Sequence, residues 1–153
     1  MAHSTRRANI EVTTVVSVED LLGVRDGKRH GALAVARSVE NGLSLAAVDR
    51  VAAALAPGDR SFRYRLVPKP TLERRKRNGE RLSVAEGDRL ARMVKVYEMA
   101  MWVYKDPAKA VAFLSGPHQM LEGRSALDVA LASGPGADEV VNILGRAYYG
   151  TGV

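Results

Sequence analysis

The chain contains no cysteine. That excludes disulfide staples, thiolate metal sites and cysteine nucleophiles. Aromatic residues are scarce, with one Trp, two Phe and five Tyr among 153 residues. The core must therefore come from Leu, Val and Ala, a composition that suits helices in one ordinary domain or two small ones. No apolar run approaches the ~18 residues of a spanning helix. The opening MAHSTRRANIEVTTVV carries two arginines but no long apolar segment and no clear cleavage site, so no secretory signal is expected. A soluble, cytoplasmic protein without a membrane partner is the expectation. His3, His30 and His118 stand singly, without metal-binding spacing. No G-x-S-x-G, P-loop or G-x-G-x-x-G occurs, and the SGPG run lacks the strand-then-helix context of a phosphate cradle. No catalytic residue, metal or cofactor is expected, and the chain does not read as an enzyme.

What the sequence does have is positive charge in one place. The formal net charge is +6. Between Arg60 and Arg81, nine basic residues face only Glu73 and Glu80, a local net of +7 that leaves −1 for the rest. Such a concentrated patch is the electrostatic footprint of nucleic-acid binding. A solvated surface run or a localisation signal remains the plainer alternative at this point.

The apolar pattern is helical throughout. ANIEVTTVV, near the start, reads as a tail or a short isolated strand. Ser17 can cap VEDLLGV, and RDGKRHG is a loop. ALAVARSVENG offers Leu33, Val35, Ala36 and Val39, with Gly42 as a stop. After Ser44 as a cap, Leu45, Val48, Val51, Ala52 and Leu55 form one stripe. A turn at Pro57-Gly58-Asp59 precedes a short helix carrying Phe62 and Leu66. Pro68 and Pro70 push their preceding residues out of the α region, so a fresh helix is expected from about Thr71 to a stop at Gly79. Leu72 is its one apolar residue. Such a helix rests on the domain by one edge and shows its other faces to something anionic. Two amphipathic helices, a short turn and a basic helix make the pattern of a helix-turn-helix.

The second half reads differently. Ser83-x-x-Glu86 is a capping box that opens a long helix. Leu90, Met93, Val94, Tyr97, Met101 and Tyr104 line one face, and Val96, Met99, Trp102 and Val103 widen it. Trp102 reads as core or dimer contact rather than a ligand box. Asp106-Pro107 starts a short helix. SGPHQMLEGR is a loop, Ser125 caps ALDVALAS, and GPG breaks the chain before the final helix ADEVVNILGRAYYG. Tyr and Arg are enriched at binding hot spots, so the closing Arg146, Tyr148 and Tyr149 are either docked on the domain or reserved for a partner.

Five segments in order carry a family resemblance. They are TLERRKRNGERLS from Thr71, EGDRL from Glu86, DPAKA from Asp106 with Phe113-Leu114, LEGRSALD from Leu121, and LGRAYYG from Leu144. From Leu43 onward the chain resembles the Xre/ParS/MbcA-type antitoxins of RES–Xre type II toxin–antitoxin systems. The first 40 residues carry little of the likeness.

The resemblance implies an all-α fold, with an N-terminal Xre-like helix-turn-helix module followed by a small C-terminal helical toxin-binding domain. The division expected here is a tail over 1–17, the DNA-binding domain over 18–82 and the toxin-binding domain over 83–153. It implies a RES-domain, NAD-degrading toxin as partner, with the antitoxin's C-terminal end blocking the toxin's active-site pocket. On this chain that places Arg146, Tyr148, Tyr149 and Gly150 at the toxin. It also implies binding to operator DNA and repression of its own operon, with a homodimer inside a hetero-oligomeric complex.

For DNA, Thr71, Arg74, Arg75 and Arg77 are the expected groove-facing residues. Lys69, Lys76 and Arg81 are better placed for phosphates, and Arg60, Arg63 and Arg65 can cross the backbone. Two other readings stay open: a plain helix-turn-helix regulator with a dimerising or ligand-sensing C-terminal domain, and an RNA-binding protein. Against the latter, the basic window offers only Phe62 and Tyr64 for base stacking.

Overall fold

Ser17 accepts the backbone N–H of Asp20, whose carboxylate in turn accepts the N–H of Ser17, and this reciprocal cap opens the first described helix. The computed structural model describes residues 17–24 and 31–150. Expectations for the opening tail, for most of RDGKRHG with His30, and for the last three residues lie outside that range. The helices are α1 (Val18–Leu22), α2 (Ala32–Asn41), α3 (Ala46–Leu55), α4 (Arg63–Leu66), α5 (Lys69–Asn78), α6 (Val84–Tyr104), α7 (Pro107–Ser115), α8 (Ala126–Ala132) and α9 (Gly134–Tyr148). Among the described residues there is no strand, only an isolated bridge between Pro117 and Ser125. The all-α expectation holds.

α6 organises the molecule. It buries Leu90, Met93, Val94, Val96, Tyr97, Ala100 and Met101. It packs against α1, α2, α3 and α4, and also against α7, α8 and α9. One hydrophobic cluster therefore runs from Leu21 to Leu144, with Val48, Val51, Leu55, Phe62 and Leu66 on the earlier helices fully enclosed. A helix buried on several sides needs apolar residues around more than one stripe, which is what the widened pattern of α6 supplies. Gly87 lets α2 come close: a Cβ there would lie 3.3 Å from Val39 Cγ1 and 3.5 Å from Leu43 Cδ1.

Several local expectations are corrected. In α2 the residues turned inward are Ala34 and Val39, with Val35 and Ser38 half-buried, while Leu33 and Ala36 are exposed. The helix begins at Ala32, and its register sets the 34/35/38/39 edge inward. α5 begins at Lys69 instead of Thr71, because Pro68 acts as its N-cap and Pro70 falls in the first turn, where a missing N–H costs nothing. The GPG run is the first turn of α9 and not a loop, with Ser133 capping the N–H of Gly136. Trp102 is not core: it is 58% exposed. The N-cap of α3 is Leu45 and not Ser44, although Ser44 Oγ accepts the N–H of Ala46 at 3.3 Å. His118 braces its loop, its Nε2 lying 2.6 Å from the carbonyl of Phe113.

Candidate functional sites

The basic window becomes two kinds of surface. α5 has no buried residue. Only Thr71, Leu72 and Arg75 are half-buried, and they mark its inward edge. Arg74 and Arg77, three apart on one side of the helix, are exposed. Its last turn holds Arg75, Lys76 and Arg77 near the negative end of the helix dipole, and Gly79 ends it in the left-handed region with φ 63°.

The ten residues singled out for DNA separate by what they touch. Arg60, Lys69, Arg74, Lys76 and Arg77 make no ion pair among the described residues, although Lys69 Nζ sits 5.7 Å from the ring centre of Tyr64. Thr71 is half-buried beside them. The other four are engaged within the fold. Arg63 donates to Asp49 Oδ1 at 3.1 Å and to the Tyr64 hydroxyl at 2.8 Å. Hydrogen bonds, first to Tyr64 and then to Asp49, keep its guanidinium protonated beyond the usual range. Arg65 reaches Asp128 Oδ1 on α8 at 2.6 Å, so it ties α4 to the later helices. Arg81 donates to the carbonyl of Gly42 at 3.1 Å. Arg75 is the most committed, bound to Glu86 and Glu80 with its side chain 16% exposed. Four consecutive basic residues look alike in sequence, and the register turns Arg75 toward the start of α6.

The second surface lies at the end of α9. Tyr148 and Tyr149 are exposed there, and Gly150 has φ 67°. Trp102 of α6 meets Tyr148 edge-on, ring centres 5.6 Å apart, and Tyr148 meets Tyr149 at 5.0 Å and 86°. Nearby, Gly145 faces Met99 of α6, where an added Cβ would make ordinary contact with Cε at 3.6 Å. Arg146 reaches Glu139 Oε1 at 3.4 Å, and its Nε has no partner among the described residues. Reading the sequence missed Trp102 as a member of this group. The available signal was an α6 apolar girth wider than its core side needs, and the 46 positions between Trp102 and Tyr148 hid the pairing.

Comparison with known proteins gives the class. Residues 34–95 match the antitoxin Xre-like helix-turn-helix domain, and residues 99–150 match the antitoxin Xre/MbcA/ParS C-terminal toxin-binding domain. The molecule is thus a helix-turn-helix unit followed by a toxin-binding unit, and the two matches meet within α6. The chain is also 31% identical over 115 residues to the antitoxin Xre of Yersinia enterocolitica serotype O:8 / biotype 1B, covering 74% of this chain and 77% of that protein. The chain belongs to the Xre family of antitoxins. No helix among the described residues is long and apolar enough to cross a membrane.

Proposed function

We propose that this antitoxin inhibits a cognate RES-domain, NAD-degrading toxin with the C-terminal end of α9, and that it represses its own operon by binding operator DNA as a homodimer. The carrying observation is the pairing of two unlike surfaces on one core. One is an exposed helix on which Lys69, Arg74, Lys76 and Arg77 make no ion pair among the described residues. The other is an aromatic cluster of Trp102, Tyr148 and Tyr149, with Arg146 earlier on the same last turn of α9. Exposed aromatics with an arginine are the residue types that anchor protein interfaces. Unpaired Arg and Lys on a protruding helix suit phosphates and base edges. A helix-turn-helix of this size reads two half-sites when paired, which supports the dimer.

The deciding experiment measures cellular NAD⁺ on inducing the neighbouring toxin gene alone, with the full chain, and with a chain ending after Leu144. NAD⁺ should collapse with the toxin alone, recover with the full chain and stay low with the truncation. Rescue by the truncation would move inhibition to the domain surface. A neighbour that never touches NAD⁺ would leave a plain helix-turn-helix regulator as the better account.

A further inference from the structure

α5 is the least anchored helix of the fold. It contributes no buried residue, and Leu72 is its one apolar contact with the core. Something else must hold its pose. The guanidinium of Arg75 donates from Nε and Nη2 to Glu86 Oε1 at 3.1 and 2.9 Å, and from Nη1 to Glu80 Oε2 at 3.0 Å. Both side chains of the Arg75–Glu86 pair are almost covered, at 16% and 15% exposure. The far oxygen of Glu86, Oε2, accepts the N–H of Ser83 at 2.9 Å, and Ser83 Oγ accepts the N–H of Glu86 at 3.2 Å. Glu80 is brought into place by the left-handed Gly79 and by its own N–H, which donates to the carbonyl of Arg75 at 2.9 Å. Glu86 thus serves two masters, capping α6 and gripping α5.

We propose that Arg75 is a positioning residue: clamped by Glu86 and Glu80, it fixes α5 on the start of α6 in the pose that presents Arg74 and Arg77 to DNA. This rests on the DNA-binding reading above. With three of its five N–H donors held by carboxylates and its side chain 16% exposed, Arg75 has little left to offer a guanine edge. Its planar geometry spans two carboxylates at once, which a lysine ammonium does not reproduce.

The test uses the full chain, a duplex spanning its own promoter, and two variants, Glu86→Gln and Arg75→Lys. General electrostatics predicts that removing the negative charge of Glu86 beside a basic helix strengthens DNA binding. The clamp predicts the reverse. If the docked pose falls to about one molecule in ten, apparent affinity falls about tenfold. The slope of log K against log salt stays as in the parent, because no phosphate contact is lost. Arg75→Lys keeps the charge and should weaken binding equally, again without a change in slope. Amide exchange of the free protein supplies a readout independent of DNA. α5 amides should exchange faster in both variants while α3 and the Leu90–Met101 stretch of α6 keep their protection. Tighter binding by Glu86→Gln, a reduced slope in Arg75→Lys, or unchanged α5 exchange would each overturn the clamp. Failure of the unmodified chain to bind the duplex would overturn the DNA reading, and the exchange experiment would still decide whether Arg75 holds α5.

Discussion

Two glycines in one turn show how a single methyl can carry opposite signs. Replacing a helical glycine by alanine stabilises by about 0.4–1 kcal/mol when the site has room, because the unfolded chain loses freedom. Apart from its chain neighbours Gly134 has room, an added Cβ meeting nothing closer than Arg92 Nη1 at 3.9 Å. Gly136 has none, since its Cβ would press into the carbonyl oxygen of Val129 on the preceding helix. Gly136→Ala should therefore cost about 1–3 kcal/mol, the range for overpacking, and outweigh its propensity gain. Gly134→Ala should be neutral or mildly stabilising. Urea midpoints of the two variants check the contrast, and equal shifts would mean that α8 and α9 do not approach as closely as described.

At the scale of elements, α6 and α5 are built by opposite rules. α6 is fixed by its core side, and Leu90→Ala, at a fully buried site, should lose about 2–5 kcal/mol. Its outer end carries the chain's one tryptophan, exposed against Tyr148. Trp102 emission should shift to the blue when the toxin docks, because the ring leaves water. An unchanged spectrum in a formed complex would remove Trp102 from the interface. α5 touches the core through Leu72 and carries one ion-pair network at Arg75, while Arg74 and Arg77 make no ion pair among the described residues. Arg77→Ala should weaken duplex binding by about 1–3 kcal/mol and, if Arg77 sits on a phosphate, lower the salt slope by about 1. Titrating operator binding against salt separates the two outcomes.

For the whole molecule, ion pairs add to the links that one apolar core already makes between its parts. Glu86 links α6 to α5, and Asp128 links α8 to α4. Burial alone would raise the Glu86 carboxyl, but the Ser83 N–H and Arg75 outweigh it and hold it below its ordinary value. Arg65, then Ser125, do the same for Asp128. A carboxyl lowered in the folded state contributes stability that is complete above its unfolded pKa. That stability is lost as pH falls through the folded value. Stability should therefore decline on acidification below the ordinary carboxylate range, and Glu86→Gln should flatten that decline. Denaturant titrations at several acidic pH values measure it. Asp128 is half exposed, so its share is the smaller.

The helices were legible because apolar periodicity, capping serines and prolines are local signals. Ser17, Ser83 and Asp106 each cap the helix that their position announces, and Val48, Val51 and Leu55 fall inward as their spacing requires. The +7 window and the closing tyrosines were equally plain, since charge and residue type need no fold to be counted. Local patterns were enough for helices, their punctuation and the presence of a basic helix. Only the packing of helices settles which basic residues find an ion partner among the described residues. Register turned Arg75 toward Glu86 and Arg65 toward Asp128, pairings 11 and 63 positions apart that no local pattern encodes. It also set Trp102 beside Tyr148, because the packing of α6 on α9 fixes which outer residues become neighbours. Helix formation is a matter of nearby residues, whereas partnership between side chains depends on how whole helices are laid against one another.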